Sequence, residues 1–426
     1  MTITAKHALV IAALALTGCS TDRILKVERP DIIDPTGLNN PAGVTALYAG
    51  VIGDLAAYLD AAVGVNASVG LFTDELRFGA TPPEIKQFDT RSLIEQNTLL
   101  WAVYRNIQQL RGQADRAAEA LKEVNASDPR AGEMHAISGL AYVLLAELFC
   151  SGVPIGDTGE EADPLTTTAV LQGGIAQLDA AIAAAGSDAR IRNLAAVLKG
   201  RALLDLGQFD AAATAVASVP TDYKYTTFHS ATTPYQQNLF WNYMFNSDGV
   251  LVSDKEGTNG LNFATANDPR VPISGTGAPS RFDATTPRYY FGLLTGFDSP
   301  TMVASGAEAR LIEAEAELRK PNNAAFLQKI NDLRAFQKLS PVTDPGTAAA
   351  RTDLLFRERA FTMFGTSHRL GDLRRLVRQY ARGAESVFPT GNYHKDGLRF
   401  GTDVNFIVPT PERNNPKFTG CIDRAA

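Results

Sequence analysis

The sequence lacks a surplus of basic residues and, after its first 18 residues, any apolar run long enough to cross a bilayer. It has 40 lysines and arginines against 46 aspartates and glutamates, so its formal net charge is −6. An acidic chain without basic clusters gives no reason to expect binding to nucleic acid or to anionic lipids. A membrane-spanning helix needs about 20 apolar residues. We therefore expect a globular body that enters no bilayer through its own chain.

Histidine and cysteine are also scarce, with five and three residues. Their spacing matches no metal-binding pattern, and the Walker A, G-x-G-x-x-G and G-x-S-x-G motifs are absent. The acidic pairs Asp74 with Glu75 and Glu160 with Glu161 could serve as glycosidase carboxylates, but solvated surface acids are the favoured interpretation. The sequence therefore predicts no metal, no cofactor and no catalytic residue.

The N-terminus has the pattern of a bacterial lipoprotein. An apolar run too short to span a bilayer ends in Leu16-Thr17-Gly18-Cys19, which resembles a lipobox and implies cleavage before Cys19 and acylation of that residue. The alternative is that Cys19 is an incidental residue of a secretory leader. We expect a signal peptide over residues 1–18, a lipid attached to Cys19 and an extended tether over residues 19–40.

Two cysteines, Cys150 and Cys421, are left after Cys19 is used for the anchor. An oxidising compartment outside the cytoplasm would permit them to pair, although each could also be buried singly. The bridge is the favoured interpretation, and it would join the C-terminal tail to the helical core.

Apolar residues recur every three to four positions through much of the chain, which is typical of amphipathic helices. Short connections between them indicate antiparallel helical hairpins over residues 41–220. The turn Leu-Gly-Gln-Phe-Asp-Ala-Ala-Ala at 206–213 resembles a tetratricopeptide repeat, although the spacing is too short for a regular array. The predicted fold class is all-α, built from tetratricopeptide-like hairpins.

Residues 221–304 differ in composition, because prolines are frequent and the helical period is lost. The segment is rich in aromatic residues, so we expect an ordered, loop-rich irregular lobe and not a disordered linker. Aromatic side chains that lack helical partners can serve as stacking surfaces for a ligand, or they can pack the small core of the lobe. The ligand-binding candidates are Tyr235, Trp241, Tyr243, Tyr289 and Tyr290.

Helical periodicity returns in residues 305–426, which we expect to form C-terminal helices and an extended tail packed on the scaffold. Charged residues alternate here with apolar ones at helical spacing. This pattern predicts a structural ion-pair network between two packed helices, in which Glu358 and Asp372 offset Arg359, Arg369 and Arg374. A ligand site is the rival interpretation.

Several stretches of the sequence, taken in order, resemble landmarks of the SusD/RagB family. They are Ala146-Glu-Leu-Phe-Cys-Ser-Gly-Val-Pro154, Asp268-Pro269-Arg270, the helix from Ala307 to Ala316, Glu358-Arg359, His368-Arg369, Asp372-Leu-Arg-Arg, and the closing Ile-Val-Pro-Thr-Pro-Glu-Arg-Asn-Asn-Pro. The chain departs from the family at Leu370 and Gly371, where an aromatic residue is common. The glycan-binding residues of the family follow no motif, so none is assigned by the resemblance.

The resemblance implies a lipid-anchored protein of the outer membrane, facing the cell surface. It would capture an oligosaccharide or peptide nutrient without enzymatic activity and deliver it to a SusC-like TonB-dependent transporter, its partner. Two alternatives remain at this point. One is an extracytoplasmic glycan hydrolase or lyase on an α/α barrel, and the other is a scaffold lipoprotein that holds another protein.

Overall fold

The computed structural model describes residues 40–156 and 161–426. The predicted signal peptide, the Cys19 anchor and nearly all of the predicted tether therefore lie outside the described residues. Within them the chain is mainly helical, with strands that pair only two at a time. The predicted all-α class is confirmed.

Eight helices lie in the described residues of the first half of the chain. They are α1 (Pro41–Leu59), α2 (Val65–Phe72), α3 (Pro83–Asp89), α4 (Thr98–Val124), α5 (Arg130–Leu148), α6 (Thr167–Ala184), α7 (Ala189–Asp205) and α8 (Phe209–Val216). In the same described residues, three short strands lie between them: β1 (Leu76–Phe78), β2 (Val153–Pro154) and β3 (Pro164–Leu165). From α4 to α8 each helix packs against the next one along the chain. Side chains of Asn97, Thr166 and Asp188 accept backbone N–H bonds at the starts of α4, α6 and α7, so the sequence itself fixes where these helices begin.

Small residues let α5 and α6 approach closely. A Cβ on Gly139 would lie 2.6 Å from Leu178, and one on Gly132 would lie 2.8 Å from the carbonyl oxygen of Ala181. Both distances are shorter than van der Waals contact, so side chains at these positions would push the two helices apart.

The first helix, α1, has the length and apolar composition of a membrane span, with a mean hydropathy of 1.4, and it alone does so among the described helices. It nevertheless packs against α4, and Val44, Val51, Leu55 and Leu59 on one face are buried. In this fold the apolar residues of α1 therefore pack against the neighbouring helix.

Residues 221–304, all of which the structure describes, hold short elements joined by loops. They are β4 (Lys224–Thr226), a 3-10 turn (Pro234–Gln236), α9 (Leu239–Phe245), β5 (Val250–Val252), β6 (Ile273–Ser274), β7 (Tyr290–Phe291) and β8 (Met302–Ser305). Strand β4 pairs antiparallel with β8, which brings the two ends of the segment together. Strand β5 pairs with β1 (Leu76–Phe78), with Leu76 opposite Val252, and this pairing fastens the segment to the first half of the chain.

The C-terminal part packs back on the first half. It contains α10 (Gly306–Leu318), α11 (Asn323–Phe336), α12 (Ala348–Thr362), α13 (Arg369–Tyr380), α14 (Ala384–Val387) and a 3-10 turn (Thr410–Asn414). Further along, Phe406 is surrounded edge-on by Phe72, Phe88 and Phe149. A disulfide joins Cys150 to Cys421 across 271 residues. The tail is therefore held by an aromatic cluster and a covalent bond.

The charged cluster of the C-terminal helices is buried, but its pairing differs from the sequence prediction. Arg359 donates to both oxygens of Asp372 at 2.9 Å, as expected for a bridge between α12 and α13. Arg369 instead pairs with Asp74. Glu358 accepts from Arg270 and Arg334. The prediction that Glu358 balances the charge of the arginines in its own cluster was wrong. Tertiary packing places Arg270, in the 268–270 turn, and Arg334, on α11, within hydrogen-bond distance of its carboxylate.

Arg374 has a different role from the other arginines. It is fully buried, and Nη1 donates to the carbonyls of Ala146, Glu147 and Phe149 at 2.6–3.1 Å. These are carbonyls that the C-terminus of α5 leaves without helical partners. Burial, followed by the nearby Arg378, lowers the pKa of Arg374 to about 9. Arg374 thus caps a helix, and the prediction that it takes part in an ion pair was wrong.

The interpretation of Asp74 and Glu75 as solvated surface acids was also wrong. Each is only 1% exposed. Asp74 is the partner of Arg369, whereas Glu75 accepts a backbone N–H from Gly365 at 3.3 Å. Burial raises the pKa of Glu75 to about 8. Carboxylates enclosed in this way cannot meet a polymeric substrate.

Candidate functional site

Four aromatic side chains of the 221–304 segment form a continuous series of ring contacts, which we call the aromatic row: Phe297, Trp241, Phe245 and Tyr290. Trp241 and Phe245 lie four residues apart on one face of α9 and stack with centroids 5.8 Å apart, as the helical period allows. Tyr290 on β7 continues the stack, 4.8 Å from Phe245. Phe297 meets Trp241 edge-on at 4.8 Å.

Asn238 positions one end of the aromatic row. Its Oδ1 accepts from the backbone N–H of Trp241 at 2.8 Å and caps α9. Its backbone N–H donates to the carbonyl of Phe297 at 2.7 Å, and Nδ2 donates to that of Ser299 at 2.8 Å. Because one buried residue binds both segments, Phe297 is placed beside Trp241.

Asp248 positions the other end. The Tyr290 hydroxyl donates to Asp248 Oδ1 at 2.8 Å, and Arg281 binds both carboxylate oxygens at 2.8 Å. Burial would raise the pKa of Asp248, but the hydrogen bonds from Arg281 outweigh this effect and hold the pKa below its usual value. Gly275 approaches the Tyr290 ring closely at a φ of +98°, which favours glycine. Tyr290 is therefore held at its hydroxyl by Asp248, with Gly275 close to its ring.

Each of the four residues of the row is partly exposed to solvent. The same segment also carries several of the large apolar side chains that are exposed among the described residues, including Phe282 and Leu293 at 59% each. Apolar groups concentrated on one part of a surface commonly mark a binding region. An aromatic face with a polar tip suits the apolar face of a sugar ring or a peptide side chain.

The structure brings two of the five predicted candidates, Trp241 and Tyr290, into the row. Tyr243 packs against Gly249, and burial raises its pKa to about 12. Tyr289 packs against Gly277. Tyr235 lies elsewhere, is 61% exposed, and donates from its hydroxyl to Asp54 at 2.6 Å.

Phe245 and Phe297 are members of the row that sequence reasoning missed as site residues. Phe245 follows Trp241 by four residues, a spacing that would have paired them had α9 been recognised within the proline-rich segment. No local signal could have found Phe297, because its place depends on the contact with Asn238. Whether any of the predicted aromatics contacts a ligand stays a prediction.

The chemistry that the row offers is stacking. Within residues 40–156 and 161–426, no group of histidine, cysteine and acidic side chains is arranged to hold a metal ion.

No protein-family profile matches the chain, and no curated protein does. Solved structures match it closely in fold. Surface glycan-binding protein A from Bacteroides thetaiotaomicron is 13% identical, with 91% of this chain and 100% of that chain aligned and a TM-score of 0.68. A SusD superfamily protein from Parabacteroides distasonis is 14% identical, with coverages of 89% and 98% and a TM-score of 0.68.

A laminarin-binding SusD-like protein is 18% identical, with coverages of 90% and 99% and a TM-score of 0.58. Together these similarities confirm, at the level of fold, the resemblance seen in the sequence. The fold is SusD-like, and the α/α barrel of the hydrolase alternative is not the architecture of the described residues.

Proposed function

We propose that this chain, which has the SusD-like fold, captures an oligosaccharide through the aromatic row. The observation that carries the proposal is the stack of Trp241, Phe245 and Tyr290, held at both ends by buried polar residues. Rigid rings bind with little loss of side-chain entropy, which favours recognition of a flat, weakly polar ligand face. A glycan is favoured over a peptide because two structures of the same fold are named for glycan or laminarin binding.

The proposed role is capture without catalysis. In support, the acidic pair Asp74 and Glu75 is enclosed by the protein, and the row itself contains no acid or base. The competing scaffold function predicts that no small ligand binds.

The proposal extends to location and partner. The lipobox ending in Cys19 supports a lipid anchor, and the SusD/RagB resemblance supports placement on the outer face of the outer membrane. There the protein would hand its ligand to a SusC-like TonB-dependent transporter.

Calorimetric titration with soluble hexaoses tests capture, and we suggest the laminari-, malto-, cello- and xylo-series. We expect saturable binding of at least one series and no new reducing ends after prolonged incubation. Phe336→Ala is the matched control for substitutions in the aromatic row, because Phe336 is exposed but lies on α11, outside the lobe. It should bind the hexaoses as the natural chain does. New reducing ends would favour the hydrolase alternative, and absence of binding to any glycan would favour the scaffold alternative.

A further inference from the structure

A concave surface lies beside α4, and none of its lining residues belongs to the aromatic row. It encloses about 620 Å³ between successive turns of α4 on one side and Pro154, Gly156, Glu412 and Asn415 on the other. We call it the α4 groove. Its volume is within the range typical of small-molecule sites.

Among the residues that the structure describes, the lining of the α4 groove is polar and balanced in charge. Three arginines and three carboxylates of the described chain contribute to it: Arg105, Arg111, Arg116, Asp115, Glu119 and Glu412. Glutamine and asparagine side chains occupy much of the remainder. A wall without net charge does not favour a strongly anionic or cationic ligand, because a charged ligand would lose hydration without a compensating field.

Hydrogen bonds hold the two walls of the groove together. Gln108 donates to the carbonyl of Pro154 at 2.8 Å. Arg111 donates to the carbonyl of Gly156 at 2.5 Å and to Asp115 Oδ2 at 3.3 Å. The groove is therefore built before any ligand arrives.

Two acceptors in the lining remain unpaired in the described part of the chain, Gln113 Oε1 and Asp115 Oδ1, and both atoms are buried. A buried acceptor without a donor costs about 1–3 kcal/mol. Both residues line the groove, so a rotation of their side chains would bring these oxygens to the hydroxyl groups of a ligand.

The groove also offers an aromatic surface and free space. Trp101 is half-buried and stacks on Tyr104, with centroids 6.1 Å apart. About two turns after Tyr104, Gly112 lines the groove, and a Cβ there would meet no atom within 4 Å. Glycine inside a helix costs about 0.5–1 kcal/mol relative to alanine, and no neighbouring atom requires it here.

We infer that the α4 groove is a second carbohydrate site, for a neutral oligosaccharide, with Trp101 as the stacking surface and Gln113 and Asp115 as acceptors for ligand hydroxyls. Gln109, at the rim of the groove, lies next to α1, because its Oε1 is 3.5 Å from the Tyr58 hydroxyl. One turn earlier on α1, Asp54 accepts a hydrogen bond from Tyr235, so the rim extends toward Tyr235. The inference rests on the proposed glycan-binding function.

The test uses the fact that the chain has two tryptophans, Trp101 and Trp241, one at each site. In Trp241→Phe the fluorescence reports on the α4 groove alone, and in Trp101→Phe it reports on the aromatic row alone. In a titration of Trp241→Phe, we expect at least one of the four hexaoses to change the fluorescence of Trp101 in a saturable way. Adding Gly112→Leu, which fills the groove, should raise the dissociation constant obtained from this Trp101 titration at least tenfold.

Gly50→Leu in the same Trp241→Phe background is the matched control, because Gly50 is also helical and open yet lies on α1. It should leave the Trp101 response unchanged. A Trp241 response without a Trp101 response would overturn the second site and leave the proposed function standing. If neither tryptophan responds, both fail. A Trp101 response to a casein peptide digest, and to no oligosaccharide, would overturn the ligand class.

Discussion

Asp74 and Arg369, which are 295 residues apart, form a buried ion pair with two hydrogen bonds, Nε to Oδ1 at 2.6 Å and Nη2 to Oδ2 at 2.9 Å. The pair joins the residues just before β1 to the start of α13. A buried pair adds little net stability over an apolar replacement, but removing one partner leaves an uncompensated charge.

We therefore expect Asp74→Leu to lower the free energy of unfolding by about 3–5 kcal/mol, measured by urea denaturation. The double variant Asp74→Leu/Arg369→Met should lose less than the single variant, because neither charge is then left unpaired. Additive losses would show that the two residues are not coupled.

Glu75 gives the stability a specific pH dependence. Its pKa is about 8 in the folded protein, against an ordinary value of 4.5. Because the folded state holds this proton more tightly than the unfolded chain, the Glu75 contribution makes the protein less stable as pH rises between these two values.

Glu75→Gln should remove that contribution. The free energy of unfolding of the variant, relative to the natural chain, should therefore rise between pH 5 and pH 9, at up to about 1.4 kcal/mol per pH unit. Denaturation at pH 5, 7 and 9 measures it. Parallel stability curves for the two proteins would contradict the raised pKa.

The Cys150–Cys421 disulfide closes a loop of 271 residues, for which the chain-entropy relation gives a ceiling of about 5.6 kcal/mol. The double variant Cys150→Ser/Cys421→Ser should lose part of this amount. The loss should stay below the ceiling because Arg424 also binds Asp403 and Asn405 near the same end. Peptide mapping of the unreduced, denatured protein should find both cysteines in one linked fragment, and two free thiols would refute the bridge.

Within the aromatic row, we expect Trp241→Ala to weaken oligosaccharide binding at least tenfold, equivalent to about 1.4 kcal/mol. Tyr290→Phe keeps the ring contact with Phe245 and removes only the hydroxyl bond to Asp248. It should therefore weaken binding much less. Calorimetric titration measures both affinities, and thermal denaturation checks that each variant is folded. Unchanged affinity in folded Trp241→Ala would place the primary site elsewhere.

If Cys19 carries the lipid, Cys19→Ala should appear in the soluble fraction or remain unprocessed. Fractionation of cells followed by mass analysis of the N-terminus measures this. Retention of the variant in the membrane at the natural level would show that another feature holds the protein there.

The sequence determined the features that depend on neighbours within a few residues. Helix starts such as those at Asn97 and Thr166 follow from local capping, and the buried stripes follow from the helical period. Composition also separated the proline-rich, aromatic segment from the helices on either side. These signals lie within single turns of the chain, so they can be recognised without knowing the fold.

Tertiary structure decided which distant residues meet. The partner of Arg369, the three carbonyls bound by Arg374, and the placing of Phe297 beside Trp241 all depend on how the segments pack. A buried charge takes whichever partner the packing brings within hydrogen-bond distance, and many acids in the sequence could have served equally well. For the same reason the sequence could nominate aromatic residues for a site, but only the fold determined which of their rings stand together.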